Sequence, residues 1–235
     1  KSDAPVSGYS ADGVVRISPT VAAPLTRAEG STEFKGSNLG LGLFYGDNDK
    51  YNRDNSLWTK DESGKWNSDT PVLWKNAEFE VEVYAFAPYS QVSISRSVYW
   101  SIPSDQSAGL DGADFLWYSD KVTPKNLTDG KLDVELKHAL LKLTVNLRFG
   151  NEFGDTAPEI KEVWLNGTMA SVYCSLDYAN RGLLSNGAQS ESLDIKMHKA
   201  GDNRYEAIFY PSTGQKKDGK MLTVILADGR EYTLT

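Results

Sequence analysis

Cysteine and histidine are both scarce in this chain. Cys174 is the only cysteine among 235 residues, which excludes an intrachain disulfide. Its apolar neighbours Val172 and Tyr173 predict a buried thiol. His138 and His198 lie in different halves of the chain, and the motifs G-x-S-x-G, H-E-x-x-H and C-x-x-C are absent. We therefore expect no catalytic site, no metal site and no cofactor.

Basic charge and long apolar runs are lacking as well. The formal net charge is −7, the sequence pI is near 5.0, and lysines and arginines do not cluster. A nucleic-acid partner needs such clusters, so we expect none. No run approaches the roughly 18 apolar residues of a membrane-spanning helix. The opening residues Lys1–Val6 are polar and unpatterned, as after a removed export signal, although an arbitrary chain boundary would look the same.

The strongest positive signal is an apolar residue at every second position. This alternation runs from Leu141 to Phe149 and appears again over Phe79–Ala87, where Glu80 and Glu82 occupy the opposite face. Strands with two different faces belong to antiparallel sheets with one packed side and one solvated side. The pattern therefore favours a β-sandwich over an α/β fold.

No segment shows convincing helical periodicity, so the sequence predicts an all-β protein of short strands and turn-rich loops. Asp129-Gly130, Asn166-Gly167 and Asp228-Gly229 supply residues suited to tight hairpin turns. The predicted strands are Val14–Ile17, Leu39–Tyr45, Val72–Trp74, Phe79–Ala87, Val98–Ile102, Phe115–Tyr118, Leu132–Leu136, Ala139–Phe149, Ile160–Leu165, Ser171–Leu176, Leu193–Met197, Tyr205–Tyr210, Met221–Leu226 and Glu231–Leu234.

A polar, turn-forming segment follows Arg148 and contains Gly150, Gly154 and Pro158. Because it separates two strong predicted strands, it is the best candidate for a domain boundary. The chain is long enough for two small β domains, each with its own core.

Five of the six tryptophans precede that boundary. They are Trp58, Trp66, Trp74, Trp100 and Trp117. Packing between sheets is the favoured interpretation, because large aromatic side chains dominate the cores of sandwiches. The alternative is a carbohydrate-binding face, which would need at least two of these rings coplanar and facing solvent.

Glycines at 40, 42 and 46 only superficially suggest a nucleotide-binding loop. Their spacing departs from G-x-G-x-x-G, and they alternate with Leu39, Leu41 and Leu43 as in a strand. Glycines within a strand permit close packing. The oxygen-rich loop over residues 47–54 lacks the glycine and distal glutamate of a calcium-binding EF-hand, so a solvated hairpin loop is expected.

Several separated segments together resemble the fimbrillin-like proteins of the Bacteroidales. In order, they are Asn38–Phe44, Tyr84–Tyr89, Ile102–Ser107, Asp114–Leu116 and His138–Leu143. The resemblance spans most of residues 14–149 and is looser beyond residue 150. It implies two transthyretin-like β-sandwich domains in tandem, over residues 28–148 and 149–235, after an N-terminal segment over residues 1–27.

The resemblance also implies export and display at the outer membrane through lipidation of a residue preceding Lys1. Such proteins are shaft, tip or anchor subunits of a pilus. Their partners are other pilus subunits, joined by strand addition, together with a host or bacterial surface ligand. Thr235 comes earlier than the usual family end. Either the chain is cut short, which would leave an incomplete C-terminal domain with an exposed edge, or the final strands are missing for a functional reason.

Assembly in the family follows proteolytic removal of an N-terminal segment, which opens a groove for a strand of the next subunit. The matching cleavage position is Arg27. Val14, Val15, Ile17 and Val21 would then belong to the removable strand. The alternative is that Arg27 is an exposed linker residue. A glycan-binding surface lipoprotein is the rival function, and an enzyme is the third option.

Overall fold

The computed structural model of the chain describes residues 8–23, 31–90, 93–94, 96–154, 157–186, 191–211 and 219–235. The all-β prediction is confirmed, because strands dominate these residues and helix is limited to short 3-10 turns. The turns are Pro124–Asn126, Asn151–Phe153 and Tyr178–Asn180. Over the same ranges, no helix has the length and apolar character needed to span a membrane.

The chain divides into two compact units, neither of which is continuous in sequence. Unit 1 comprises Lys1–Tyr99, Phe115–Ala139 and Cys174–Leu184, and unit 2 comprises Trp100–Asp114, Leu140–Tyr173 and Ser185–Thr235. Three of the five division points fall inside strands, namely β8 (Ser97–Ser101), β13 (Ser171–Ser175) and β14 (Leu184–Asn186). The tandem domains over residues 28–148 and 149–235 stay a prediction.

Unit 1 contains an eight-stranded sheet with the order β2-β1-β10-β9-β6-β3-β4-β5. Each neighbouring pair is antiparallel except β1 and β10, which run parallel. The strands are β1 (Ile17–Ala22), β2 (Ser31–Glu33), β3 (Asn38–Phe44), β4 (Arg53–Lys60), β5 (Trp66–Ser68), β6 (Val81–Ala87), β9 (Leu116–Val122) and β10 (Leu132–His138). Unit 1 also contains the two-residue strand β7 (Ser93–Ile94).

One face of this sheet carries the main core of unit 1. Every second residue of β3, β6 and β10 points into it, as the period of two requires. Trp58, Trp66 and Trp74 are buried in the same cluster. The packing interpretation is therefore confirmed for these three tryptophans.

The opposite face is also covered along β6, which corrects the expectation of a solvated side. Tyr84 and Phe86 on that face are fully buried. Their rings lie across β3, where a Cβ on Gly42 would stand 2.1 Å from Tyr84 and one on Gly40 would stand 2.5 Å from Phe86. The two glycines thus make room for aromatic rings of the neighbouring strand, and the prediction of close packing at strand glycines is confirmed.

Unit 2 contains a three-stranded sheet with the order β11-β17-β16 and a four-stranded sheet with the order β15-β12-β18-β19. Both consist of antiparallel pairs. The strands are β11 (Leu141–Asn146), β12 (Ile160–Met169), β15 (Ser192–Lys196), β16 (His198–Gly201), β17 (Arg204–Phe209), β18 (Leu222–Leu226) and β19 (Glu231–Leu234).

The strand predicted over Ala139–Phe149 is shorter than expected. It runs only from Leu141 to Asn146, because its partner β17 begins at Arg204, opposite Asn146. Its apolar side is also less buried than the alternation predicts, since Leu141 is 53% exposed. The position of β11 at the end of its sheet explains this exposure, because an edge strand is covered on one side only.

The segment Ile102–Ser107 connects separate parts of unit 2 through the side chain of Gln106. Its Nε2 donates to the Ile208 carbonyl at 2.7 Å, and its Oε1 accepts from the Ile208 amide at 2.8 Å. The backbone N–H of Gln106 also donates to the Lys196 carbonyl at 3.0 Å. The buried side chain therefore satisfies both backbone groups of Ile208 and holds the segment against β17, while the backbone N–H of Gln106 holds it against β15.

Candidate strand-exchange site

The first strand, β1, lies inside the sheet of unit 1 and is paired on both sides. Its parallel register with β10 runs from Ile17 opposite Leu132 to Val21 opposite Leu136. On its other side, residues 20–22 pair with the three residues of β2. The predicted strand Val14–Ile17 therefore ends too early. The strand continues through Pro19, although proline seldom occurs inside a sheet.

Three of the four predicted strand-exchange residues face the core of unit 1. Val15 is 2% exposed and Ile17 is 7% exposed, and both belong to the core cluster. Val21 is half-buried and packs against that cluster. Val14 is half-buried and alternates to the other side, where it forms an isolated bridge with Leu73. The structure therefore places Val15, Ile17 and Val21 together and Val14 apart.

The chain just before β1 is attached to a different part of unit 1. The Val15 amide donates to the Val72 carbonyl at 2.9 Å, and the Trp74 amide donates to the Gly13 carbonyl at 2.9 Å. Arg16 and Asp12 form an exposed ion pair at 2.6 Å, which holds the pKa of Asp12 below its usual range. Residues 12–22 therefore make contacts with β10, with β2 and with residues 72–74.

Pro19 removes a hydrogen bond from the β2 side of the strand. The Arg16 carbonyl accepts from Leu132 at 2.8 Å, so even-numbered residues direct their backbone groups towards β10. Pro19 faces the other way, and its carbonyl accepts from the Phe34 amide at 3.5 Å. A residue with an N–H at this position could donate back to Phe34, but proline cannot. The sequence does not reveal that Phe34 is the residue opposite Pro19.

The β2 side of the site has its own anchors. The Phe34 ring stacks on Trp66 with centroids 5.7 Å apart, and Glu33 pairs with Lys60 at 2.5 Å. The Lys60 ammonium lowers the pKa of Glu33. These contacts hold β2 to the far end of the sheet without involving β1. Phe34 was also missed as a site residue, because it lies outside every predicted strand.

The remaining predicted site residue, Arg27, lies outside the described residues. In sequence it falls between β1 and β2, so the covalent connection between these two strands contains it. Its cleavage stays a prediction.

The alternative sites receive little support from the geometry. Trp58, Trp66 and Trp74 are buried, which removes three of the five rings considered for a carbohydrate-binding face. Trp100 and Trp117 are half-buried and belong to different units. Within the ranges the structure describes, no three histidine, cysteine, aspartate or glutamate side chains come together as a metal site. Cys174 is buried, as predicted.

Comparison with known proteins decides the family. The sequence profile described as fimbrillin-like matches residues 26–235, which is most of the chain. The chain belongs to the fimbrillin-like family. The matched region starts next to Arg27 and leaves β1 outside it. A comparison with curated protein sequences finds no match.

Three solved structures from Bacteroides are similar to this chain. A candidate cell adhesion protein of Bacteroides uniformis is 17% identical with a TM-score of 0.68, and the alignment covers 96% of this chain and 85% of that one. A candidate cell adhesion protein of Bacteroides ovatus is 13% identical with a TM-score of 0.64, covering 94% and 85%. A fimbrial protein of Bacteroides ovatus is 15% identical with a TM-score of 0.56, covering 94% and 45%. The three TM-scores establish a shared fold.

Proposed function

We propose that this fimbrillin-like protein is a structural subunit or accessory protein of a cell-surface fimbria, assembles by exchange of β1 for a strand of another subunit, and contributes to adhesion. The proposal includes two transthyretin-like sandwich domains and attachment to the outer membrane through a lipid on a residue preceding Lys1. It is not an enzymatic function, because the working parts are the backbone edges of β10 and β2.

The observation that carries the proposal is the placement of β1. It is paired on both sides, directs Val15, Ile17 and Val21 to the core, and is joined to β2 through the connection that contains Arg27. A cut after Arg27 would leave β1 held only by non-covalent contacts. Its departure would expose the edge of β10 and the apolar positions it now covers, and an extended strand binds such an edge through backbone hydrogen bonds.

The fold and family support this role. The relatives named above are a fimbrial protein and candidate cell adhesion proteins, and the profile match is to fimbrillin-like proteins. The anchors of β2 support it as well, because the Phe34 stack on Trp66 and the Glu33 pair with Lys60 would keep one wall of the groove in place. The glycan-binding alternative is not proposed, since most of the tryptophans that it requires are buried.

The test is limited digestion of the full chain with an arginine-specific protease, followed by sequencing of the new amino terminus and chromatography over time. We expect a cut after Arg27 and subsequent growth into oligomers. Arg27→Gln should block both, whereas Arg148→Gln, at an exposed position in unit 2, should change neither. Cleavage that leaves a stable monomer, or resistance at Arg27, would contradict the proposal.

A further inference from the structure

We infer that cutting the chain after Arg27 does not by itself open the groove. The first strand stays bound after the cut, and its release is a separate, slower step that starts at Val21 and is limited by an anchor over Gly8–Val15. This inference rests on the proposed function and concerns how the same site is regulated. It follows from the unequal attachment of the two ends of the segment over residues 8–22.

The amino-terminal end of the segment is the tightly held end. Gly8 is buried, and a Cβ added to it would lie 1.7 Å from the Leu127 carbonyl oxygen. Tyr9 packs against the core of unit 1, and Val15 is nearly inaccessible. The hydrogen bond from Val15 to Val72 adds a backbone contact at this end. None of these contacts depends on the covalent link through Arg27.

The carboxyl-terminal end, at Val21 and Ala22, is the less buried end and is called the shallow end below. Val21 and Ala22 are only half-buried, and β2 contributes three residues to their pairing. A cut after Arg27 would create a free chain end five residues beyond Ala22. Unpairing therefore starts most readily there and proceeds towards Ile17 and Val15, because terminal residues with few buried contacts open first.

The same geometry specifies the incoming strand. It runs parallel to β10 and antiparallel to β2, with apolar side chains at the positions of Ile17, Pro19 and Val21. At the position of Pro19 it carries an apolar residue other than proline, whose backbone N–H donates to the Phe34 carbonyl. The resident strand lacks this hydrogen bond. A strand of another subunit can thus replace it with one more hydrogen bond, entering from the shallow end.

The experiment uses the full chain with a site-specific protease sequence in place of residues 24–30, so that it does not depend on natural cleavage at Arg27. After complete cleavage, native mass spectrometry and chromatography follow the fragment that contains β1. An excess of synthetic peptide covering residues 13–23 prevents rebinding. We expect the fragment to remain with the rest of the protein at first and to leave slowly.

Two variants test the anchor. Gly8→Ala places a methyl group against Leu127, and Val15→Ala removes a buried side chain. Each should speed release by about tenfold, which corresponds to a loss of roughly 1.4 kcal/mol. Gly112→Ala is the matched control, because a Cβ at Gly112 meets nothing within 4 Å. Thermal unfolding before cleavage identifies any variant that fails to fold.

Loss of the fragment as fast as the cut is made would overturn the inference. Release of both Gly8→Ala and Val15→Ala at the parent rate would refute the anchor. Hydrogen exchange of the cleaved protein tests direction, and equal exchange at Val21 and Val15 would refute release from the shallow end. These results are distinct from failure of the proposed function, which would appear as an uncut Arg27 or as protein that stays monomeric after the fragment containing β1 has left.

Discussion

Replacing Gln106 with methionine should destabilise unit 2, because it removes hydrogen bonds without leaving a large cavity. Gln106 is 2% exposed, and its amide satisfies both the N–H and the carbonyl of Ile208. Methionine has a similar length and adapts its shape to the site. The variant therefore isolates the contribution of the amide group from that of packing.

The magnitude follows from the two backbone groups that lose their partner. A buried donor or acceptor without a hydrogen bond costs about 1–3 kcal/mol, so the pair at Ile208 predicts a loss of about 2–6 kcal/mol. A domain is stable by only about 5–15 kcal/mol, so the effect is a large fraction of the total. Ile208 is itself buried, so water cannot readily replace the lost partner.

Urea unfolding gives the loss in stability, and hydrogen exchange at the Ile208 amide reports directly on its hydrogen bond to the Gln106 side chain. Lys199→Met is the matched control, since it introduces the same residue at an exposed position of β16. A loss below about 0.5 kcal/mol, the range of ordinary surface substitutions, would refute the argument. Unchanged protection of the Ile208 amide would refute it independently.

Three further predictions concern other parts of the molecule. Gly42→Ala forces a methyl group against the Tyr84 ring and should cost about 1–3 kcal/mol in urea unfolding, whereas Gly112→Ala should be close to neutral. Lys142 and then Arg204 lower the pKa of Glu206 from its usual value near 4.5. The unfolded state therefore binds a proton first as pH falls. Wild type should lose its stability advantage over Glu206→Gln as pH drops below about 4.5. Unfolding at several pH values measures this, and a constant difference in stability would contradict it. Burial raises the pKa of Cys174 to about 12, so a thiol reagent at pH 8 should react only after unfolding, and rapid reaction of the folded protein would be the contrary result.

Local sequence patterns predict strands well where apolar residues alternate, and they fail where tertiary contacts supply the pairing. β3 and β6 follow directly from their alternation. β4 was missed because it begins with Arg53, Asp54 and Asn55, and Asn55 has a φ of +53°. Its place depends on pairing with β3, including an irregular register between Leu41 and Leu43. Such pairing leaves little signal in the strand's own composition.

The candidate site was predictable only in part. Val15, Ile17 and Val21 were identified through a family resemblance, and the structure places their side chains at the core. Neither Phe34 nor the tight packing of Gly8 against Leu127 could be inferred, because the residues involved are distant in sequence. The internal position of Pro19 could not be inferred either, since a proline normally argues against an internal strand.

The sequence by itself determined the all-β class, the buried Cys174 and the close packing at Gly40 and Gly42. Each is local, because it depends on a residue's own chemistry and on the period-two geometry of a strand. Tertiary structure alone decided that β1 runs parallel to β10, that both units are discontinuous, and that Gln106 serves Ile208. These features join residues about a hundred positions apart, and the energy that selects them comes from burial and hydrogen bonding in the folded state.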